Sequence, residues 1–450
     1  MTCPRLSAGI DVGVEGRPPR SEVRQAAGAG VLLVVAGGAT GILNLLFNVV
    51  VARGGGVSAY GAIGTLLMLG TVAGLLATGL QYGVARATAL TPMSSEQLMC
   101  MAFRAVLPWV LPTCILAILA VPIARFLHLS SPLPVLIVAL LAAVSVASSA
   151  VSGLLIGLRR FRVIASLGVG FAVLRLALGL LLAHGHGSIN GSLVASVVPY
   201  IGTMLFGLAI LLLWRHSKAG AQIAARLDDR VRVGHTGFVG ALIAGALWTI
   251  WAVPVLFARH ALSSVAAGDF AANQLLAGGI IWLTAPLVMA FYPTIVSYRH
   301  RSPIAIGAIG TLAISLVALI ALTVVGPVLV DRLYGGQFSG SRDLLFVLAM
   351  SATATTCASF ACWAALAGRR ATRSTMAFLC LALVIELAWD AVIGHAGIVL
   401  AVGPLMAIAL SGVIVGIAAL KSKRRSGASL IKAFEQPPAE LRSTRAGLDP

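Results

Sequence analysis

The sequence contains twelve apolar segments, each about as long as a membrane-crossing helix, which needs roughly 20 residues. The segments are 28–51, 59–83, 100–124, 133–157, 163–184, 189–214, 236–258, 269–292, 304–330, 343–367, 375–394 and 397–420. With 59% hydrophobic and 10% charged residues, the composition excludes an ordinary soluble domain, in which about a quarter of the residues are charged. The sequence therefore predicts an all-α polytopic membrane protein.

The positions of the basic residues predict how these segments cross the membrane. If both termini lie in the cytoplasm, the inner segments hold 26 of the 32 Lys and Arg residues and the outer loops hold five. Short cytoplasmic loops are enriched in Lys and Arg in this way. The clustering favours a topology signal over nucleic-acid binding, despite the net charge of +18. We predict a multi-pass membrane protein with both termini in the cytoplasm, and the high Ala and Gly content is typical of a GC-rich bacterium.

The two halves of the chain resemble one another. "ARGGGVSAYG" after the first segment matches "ARHALSSVAAGDFA" after the seventh, and "GLLIGLRRF" ending the fourth matches "WAALAGRRA" ending the tenth. Because six is an even number of crossings, the halves run in the same direction around an axis along the membrane normal. We predict two six-helix lobes around a central cleft. The predicted order is a cytoplasmic tail, an N-lobe, a cytoplasmic linker, a C-lobe and a basic cytoplasmic tail, at 1–27, 28–214, 215–235, 236–420 and 421–450.

Three ionisable residues are predicted to lie at bilayer depth, where a charge costs about 3 kcal/mol. They are Arg175 in the fifth segment, and Glu386 and Asp390 in the eleventh. The two acids are four residues apart and share one helix face. An offset of 210 residues, which aligns the Arg-Arg pairs of the two halves, places Arg175 opposite Ile385. Cation and acid are therefore predicted at nearly equivalent depths in the two lobes.

We interpret these charges as lining the cleft. Arg175 would meet an anionic part of the substrate, because a guanidinium donates two parallel hydrogen bonds to a phosphate and keeps its charge. Glu386 and Asp390 would take up and release a proton or Na⁺, or would act in gating. The alternative is a structural Arg175–Glu386 pair that clamps the lobes together, with Asp390 hydrated near the outer surface.

Asn44 and Asn48 are further candidates for substrate binding, since they share one face of the first segment. The alternative is that they form hydrogen bonds between helices, as also expected for Asn273 and Gln274. No phosphate-binding loop, H-E-x-x-H metal site or nucleophile elbow occurs. The prediction is therefore a protein without catalytic residues, cofactor or bound metal, and not an enzyme.

Residues 49–89 resemble the first two spans of the bacterial polysaccharide flippases, which handle O-antigen and exopolysaccharide repeat units. The resemblance is carried by Tyr60-Gly61 and Gly79-Leu80, and "DRLYGGQF" at 331–338 is similar to the turn after the ninth span. These flippases belong to a superfamily with the multidrug and toxic compound extrusion (MATE) transporters and the lipid II flippases. Two features depart from these relatives: Arg175 is the one cation at depth where flippase clefts often carry several, and lipid II flippases usually have fourteen spans.

The resemblance implies a MATE-like fold and export of an undecaprenyl-pyrophosphate-linked oligosaccharide. It also implies H⁺ or Na⁺ as coupling ion, and membrane lipids and polysaccharide-assembly proteins as partners. Three alternatives stay open. The first is a drug or cation extruder of the same superfamily. The second is a polysaccharide polymerase, which would need a larger outer loop than the predicted ones of about ten residues. The third is a non-transporting scaffold for glycan export.

Overall fold

The computed structural model describes the chain as a bundle of long helices. It describes residues 20–90, 106–107, 110–158, 160–183, 189–215, 233–297, 301–367, 372–393 and 397–414. Most of the predicted linker and terminal tails lie outside these residues. Within them no strand occurs, as expected where a bilayer offers the backbone no hydrogen-bond partner outside its own helix.

Eleven of the helices in the described residues are numbered in chain order. They are α1 Arg20–Leu90, α2 Ala120–Phe126, α3 Leu133–Gly157, α4 Phe161–Ala183, α5 Ile189–Arg215, α6 Val233–Ala261, α7 Ser264–Ser297, α8 Arg301–Tyr334, α9 Arg342–Ala367, α10 Thr372–Ile393 and α11 Gly397–Ile414. Apart from a turn at Leu119, every predicted segment is helical wherever it is described. Helix α1 already includes Arg20, which belongs to the predicted N-terminal tail. The prediction differs because hydropathy locates the part of a helix that crosses the membrane and does not locate the ends of the helix.

Nine stretches within the described helices have the length and composition of membrane spans. One of them, Val35–Val72, includes parts of the first two predicted segments. Apolar side chains cover the outside of the bundle, with Leu181, Val317 and Val392 73%, 69% and 72% exposed. A soluble monomer rarely exposes apolar surface of this extent. The prediction of an all-α multi-pass membrane protein is confirmed.

A single glycine divides α1 into two limbs. Gly56 has φ 74° and ψ 174°, outside the helical region, and the helix continues on both sides of it. Glycine adopts a positive φ at little steric cost, because it has no Cβ. The connection predicted between the first two segments is therefore a break at one residue of the "GGG" motif, which allows both limbs to stay helical up to the junction.

Helix α1 also carries the packing between the two halves of the chain, since it contacts α6 and α7 as well as α3 and α4. At the predicted outer end, a Cβ on Gly61 would lie 3.0 Å from the backbone nitrogen of Gly268. A Cβ on Gly268 would overlap the carbonyl oxygen of Val57. Nearer the other end, a Cβ on Gly240 would lie 3.6 Å from the Cα of Gly79. Small residues thus allow helices of the two halves to approach closely at both ends.

We expect Gly268→Ala to weaken the contact between the halves, because the added methyl group meets backbone that cannot rotate away. Overpacking of this kind costs about 1–3 kcal/mol. Gly279→Ala in the same helix is the matched control, since a Cβ there has no neighbour within 4 Å. Thermal unfolding in detergent should give a lower midpoint for Gly268→Ala alone. Equal midpoints for the two variants would contradict this description of the contact.

Candidate functional site

Arg175 lies inside the first half, where α4 faces α1 and α5. Its Nε donates to Ser196 Oγ at 3.2 Å, and its Nη1 donates to Asn44 Oδ1 at 2.9 Å. The guanidinium carbon lies 4.1 Å from the centre of the Phe47 ring, which gives a cation–π contact. Neutral oxygens and a ring face therefore hold this cation, and the carboxyl oxygens of Glu386 and Asp390 form no hydrogen bond with it.

The structure brings the predicted substrate-binding residues together. Asn44 contacts Arg175 directly, and Asn48, 6% exposed, donates from Nδ2 to the carbonyl of Asn44 at 2.8 Å. Tyr60 then donates its hydroxyl to Asn48 Oδ1 at 3.5 Å. The ring of Tyr60 lies 5.9 Å from that of Tyr334 in the second half. A polar cluster thus extends from Arg175 along α1 to the contact between the halves.

Glu386 and Asp390 lie on the buried face of α10. That face also carries Leu379 and Ala382, whereas Val384, two residues before Glu386, is 61% exposed. Glu386 is 0% and Asp390 is 3% exposed. Ala382 packs with Ile250 of α6 and Ala407 of α11, so the acids lie one turn beyond an apolar contact of three helices.

The two carboxyl groups converge on Gly403 of α11. The position that a Cβ would take there is 2.9 Å from Glu386 Oε1, 3.0 Å from Glu386 Oε2 and 3.1 Å from Asp390 Oδ1. The two groups are therefore no more than about 6 Å apart, and none of their four oxygens has a hydrogen-bond partner. Two carboxylates this close repel one another strongly when both are charged. The absence of a side chain at Gly403 leaves the space in which they meet.

Two prolines remove backbone donors from the helices that pack around α10. Pro254 in α6 and Pro404 in α11 have no N–H, so the carbonyls of Ile250 and Leu400 lack the usual donor four residues on. Oxygen ligands of this kind suit a hard cation such as Na⁺ or a proton-carrying water. Among the described residues, no group of three or more His, Cys, Asp or Glu could hold a metal ion.

The structure distinguishes between some of the alternatives that the sequence left open for the buried charges. The proposed Arg175–Glu386 clamp is not formed, because Arg175 bonds to Asn44 and Ser196 and the Glu386 oxygens have no partner. Asp390 is buried, with 3% of its surface exposed, and does not lie at the surface of the bundle. The acids converge on α11 within their own half, and no described hydrogen bond joins them to the first half.

Other buried polar residues form hydrogen bonds within the bundle, which is the structural alternative given for them above. Two residues of the site were not predicted from the sequence. Gln274 donates to the carbonyl of Trp251 in α6 at 2.5 Å, which confirms an expected hydrogen bond between helices, whereas Asn273 donates to that of Ser339, in the connection between α8 and α9, at 3.1 Å. Sequence reasoning missed Ser196 and Gly403. The Gly-Pro step at Gly403 in an apolar segment is a signal for the latter; a serine in a membrane helix is too common to signal the former.

We expect Asn44 and Arg175 to be energetically coupled, whereas Arg175 and Glu386 should not be. Asn44→Ala and Arg175→Gln should each destabilise the protein, and the double variant should lose less than the two losses added together, by about 1 kcal/mol. The Arg175→Gln/Glu386→Gln pair is the control and should be additive. Unfolding of purified variants measures both cycles. If only the Arg175→Gln/Glu386→Gln pair were coupled, the result would support the Arg175–Glu386 clamp instead.

No protein-family model matches the sequence, and no curated protein sequence matches it. The structure, however, matches solved transporters. The lipid II flippase MurJ in an inward closed conformation superposes with a TM-score of 0.63 at 12% identity, over 86% of this chain and 87% of that chain. A MATE transporter of Vibrio cholerae gives 0.57 at 13% identity, over 90% and 98%. A eukaryotic MATE transporter gives 0.57 at 13% identity, over 89% and 96%.

Identities this low establish a likeness of fold. The matches cover most of both chains, so they include both halves and not one shared set of helices. The predicted MATE-like architecture is confirmed: the chain has the membrane fold that MATE transporters share with the lipid II flippase MurJ.

Proposed function

We propose that this protein is an alternating-access flippase that carries an undecaprenyl-pyrophosphate-linked oligosaccharide across the bacterial cytoplasmic membrane for surface polysaccharide assembly. The halves would move against one another to expose the site first to the inner side and then to the outer side. The oligosaccharide head would pass between the halves while the polyprenyl chain stays in lipid. The fold is that of transporters, one of which is a lipid II flippase.

The observation that carries this proposal is the guanidinium of Arg175 inside the bundle. It is held by Asn44, Ser196 and Phe47 and not neutralised by Glu386 or Asp390. A permanent positive charge in a low-dielectric setting attracts an anionic group such as a pyrophosphate and repels a cationic drug. Two of its five N–H donors are used in these bonds, so donors remain for a ligand.

The second candidate is a multidrug or cation extruder, because the matched structures include multidrug resistance transporters of this fold. The Glu386–Asp390 pair favours it in one respect, since buried carboxyl groups without partners attract cations. In our proposal the same pair serves as the coupling site. A proton or Na⁺ entering it would relieve the repulsion between the carboxylates and so favour one arrangement of the second half.

Deleting the gene in its own bacterium separates the two candidates. We expect a lipid-linked oligosaccharide to accumulate on the inner face of the membrane, and the corresponding surface glycan to be lost, both measured by mass spectrometry. Wild type should restore the glycan and Arg175→Gln should not, because the variant lacks the charge that binds the anion. Arg162→Gln, an exposed cation of the same helix, is the matched control and should restore it.

Three other outcomes would contradict the flippase. Unchanged glycans with increased drug sensitivity would favour extrusion. Accumulation on the outer face would favour a polymerase. Full rescue by variants neutral at Arg175, Glu386 and Asp390 would favour the scaffold.

We expect Na⁺ to stabilise the purified protein through the Glu386–Asp390 pair. A ligand bound by the folded state alone at a hundred times its Kd contributes about 2.7 kcal/mol. At constant ionic strength, replacing choline by Na⁺ should raise the unfolding midpoint of the wild type and leave that of Glu386→Gln/Asp390→Asn unchanged. The exposed Asp331→Asn is the control and should respond like wild type. If the wild-type midpoint responds to pH and not to Na⁺, and the double variant does not respond, the coupling ion is H⁺. If the wild-type midpoint responds to neither, the Glu386–Asp390 pair is excluded as the coupling site.

A further inference from the structure

An arginine of the first half is bonded to the end of a helix in the second half. Arg53 donates from Nε to the carbonyl of Leu333 at 2.7 Å and from Nη2 to that of Arg332 at 2.6 Å. These carbonyls lie in the last turn of α8, where no intrahelical donor remains and where the helix dipole is negative. We call Arg53, Arg332 and Leu333 the first latch.

The same arrangement occurs with the halves exchanged. Arg259 of the second half donates from Nε to the carbonyl of Leu127 at 3.4 Å. Its neighbour His260 lies with Nδ1 3.1 Å from the carbonyl of Phe126, and its ring stacks on that of Phe126 at 4.2 Å. These carbonyls lie at the end of α2 in the first half. We call Arg259, His260, Phe126 and Leu127 the second latch.

The two latches are related by the internal repeat. Aligning "ARGGG" with "ARHAL" places Arg53 on Arg259, an offset of 206 residues. The same offset places Phe126 and Leu127 on Arg332 and Leu333, the residues whose carbonyls accept in the first latch. Each half therefore contributes an arginine from the end of its first span and accepting carbonyls from the end of its third span.

The contact of Gly61 with Gly268 lies on the pseudo-twofold axis between the latches. The offset of 206 residues places Gly61 on Ala267, directly beside Gly268. A contact between near-equivalent residues of two repeats must lie close to the axis that relates them. The latches and this contact all lie at the end of the bundle that the Lys and Arg distribution predicts to face outward.

We propose that these reciprocal latches form the outer gate, and that Arg53 and Arg259 hold it closed. The inference rests on the proposed alternating access and holds for either substrate. Each latch joins the same two halves on opposite sides of one axis, so the halves cannot separate at the outer end unless both latches break. The released guanidiniums and carbonyls then bond to water, which keeps the gate reversible.

The test measures access to Ala271, which is 5% exposed and lies 3.1 Å from the position of a Cβ on Gly64 across the halves. The six native cysteines are replaced by serine and Ala271→Cys is added. Intact cells are then treated with a membrane-impermeant maleimide. We expect Arg53→Gln and Arg259→Gln each to raise the labelling rate roughly tenfold to a hundredfold, the scale of one charge-assisted hydrogen bond. The double variant should exceed either single variant.

Arg342→Gln is the matched control. Arg342 also donates to a backbone carbonyl at this end, that of Thr323 at 3.4 Å, but both residues belong to the second half. This variant should label at the unsubstituted rate. Arg53→Lys, which keeps the charge and part of the donor set, should fall between wild type and Arg53→Gln.

Three outcomes would overturn the inference. Unchanged labelling in both single variants would exclude the latches, and an increase in only one would exclude their reciprocity. Labelling of inverted vesicles alone would place the gate at the inner end. The measurement needs no substrate, so a latch that fails this test is distinguishable from a flippase that fails the deletion test. A variant that is labelled faster than the control but has the same unfolding midpoint has opened and has not misfolded.

Discussion

A polar group without a partner in the hydrocarbon core costs several kcal/mol, and the whole structure follows from this penalty. The backbone avoids it by staying helical through every described span. Many hydroxyl side chains avoid it by bonding back to their own helix, as Thr65 does to Gly61, Thr203 to Pro199 and Thr323 to Leu319. Ionisable groups in the described spans cannot bond back in this way, and their arrangement is the strongest indication of function in this chain.

Arg175 and the Glu386–Asp390 pair differ in how the free-energy cost of burying a polar group is reduced. Arg175 is solvated by an amide oxygen, a hydroxyl and an aromatic face, so its charge is available without rearrangement. The carboxyl groups have only each other and the space at Gly403. They need a proton or a cation from outside the chain. In the proposed flippase, the fixed charge of Arg175 would meet the anionic head group and the two acids would exchange the coupling ion.

Much of the fold was predictable from the sequence, because the spans depend on hydropathy and the internal repeat on matching motifs. Periodicity also placed Glu386 and Asp390 on one face, and grouped Asn44 with Asn48. Periodicity could not predict which helix packs against each of these faces. The bond between Asn44 and Arg175 joins residues 131 apart, and the convergence of the acids on Gly403 depends on how α10 and α11 pack. The clamp was wrong for this reason: equal depth in two lobes does not make two side chains meet.

The contacts divide into those that a movement of the halves preserves and those that it breaks. Arg175 with Asn44 lies within the first half, and the acids with Gly403 lie within the second, so both sites can move as rigid parts. The contacts between the halves at the predicted outer end include hydrogen bonds from arginine to backbone carbonyls, small residues in contact, and aromatic pairs such as Tyr60 with Tyr334. Water can replace the hydrogen bonds, and the small residues expose little apolar surface when they separate, whereas separating the aromatic pairs exposes more. In the proposed cycle, the polar contacts that build the two sites stay within one half each, and the hydrogen bonds that water can replace lie at the proposed outer gate.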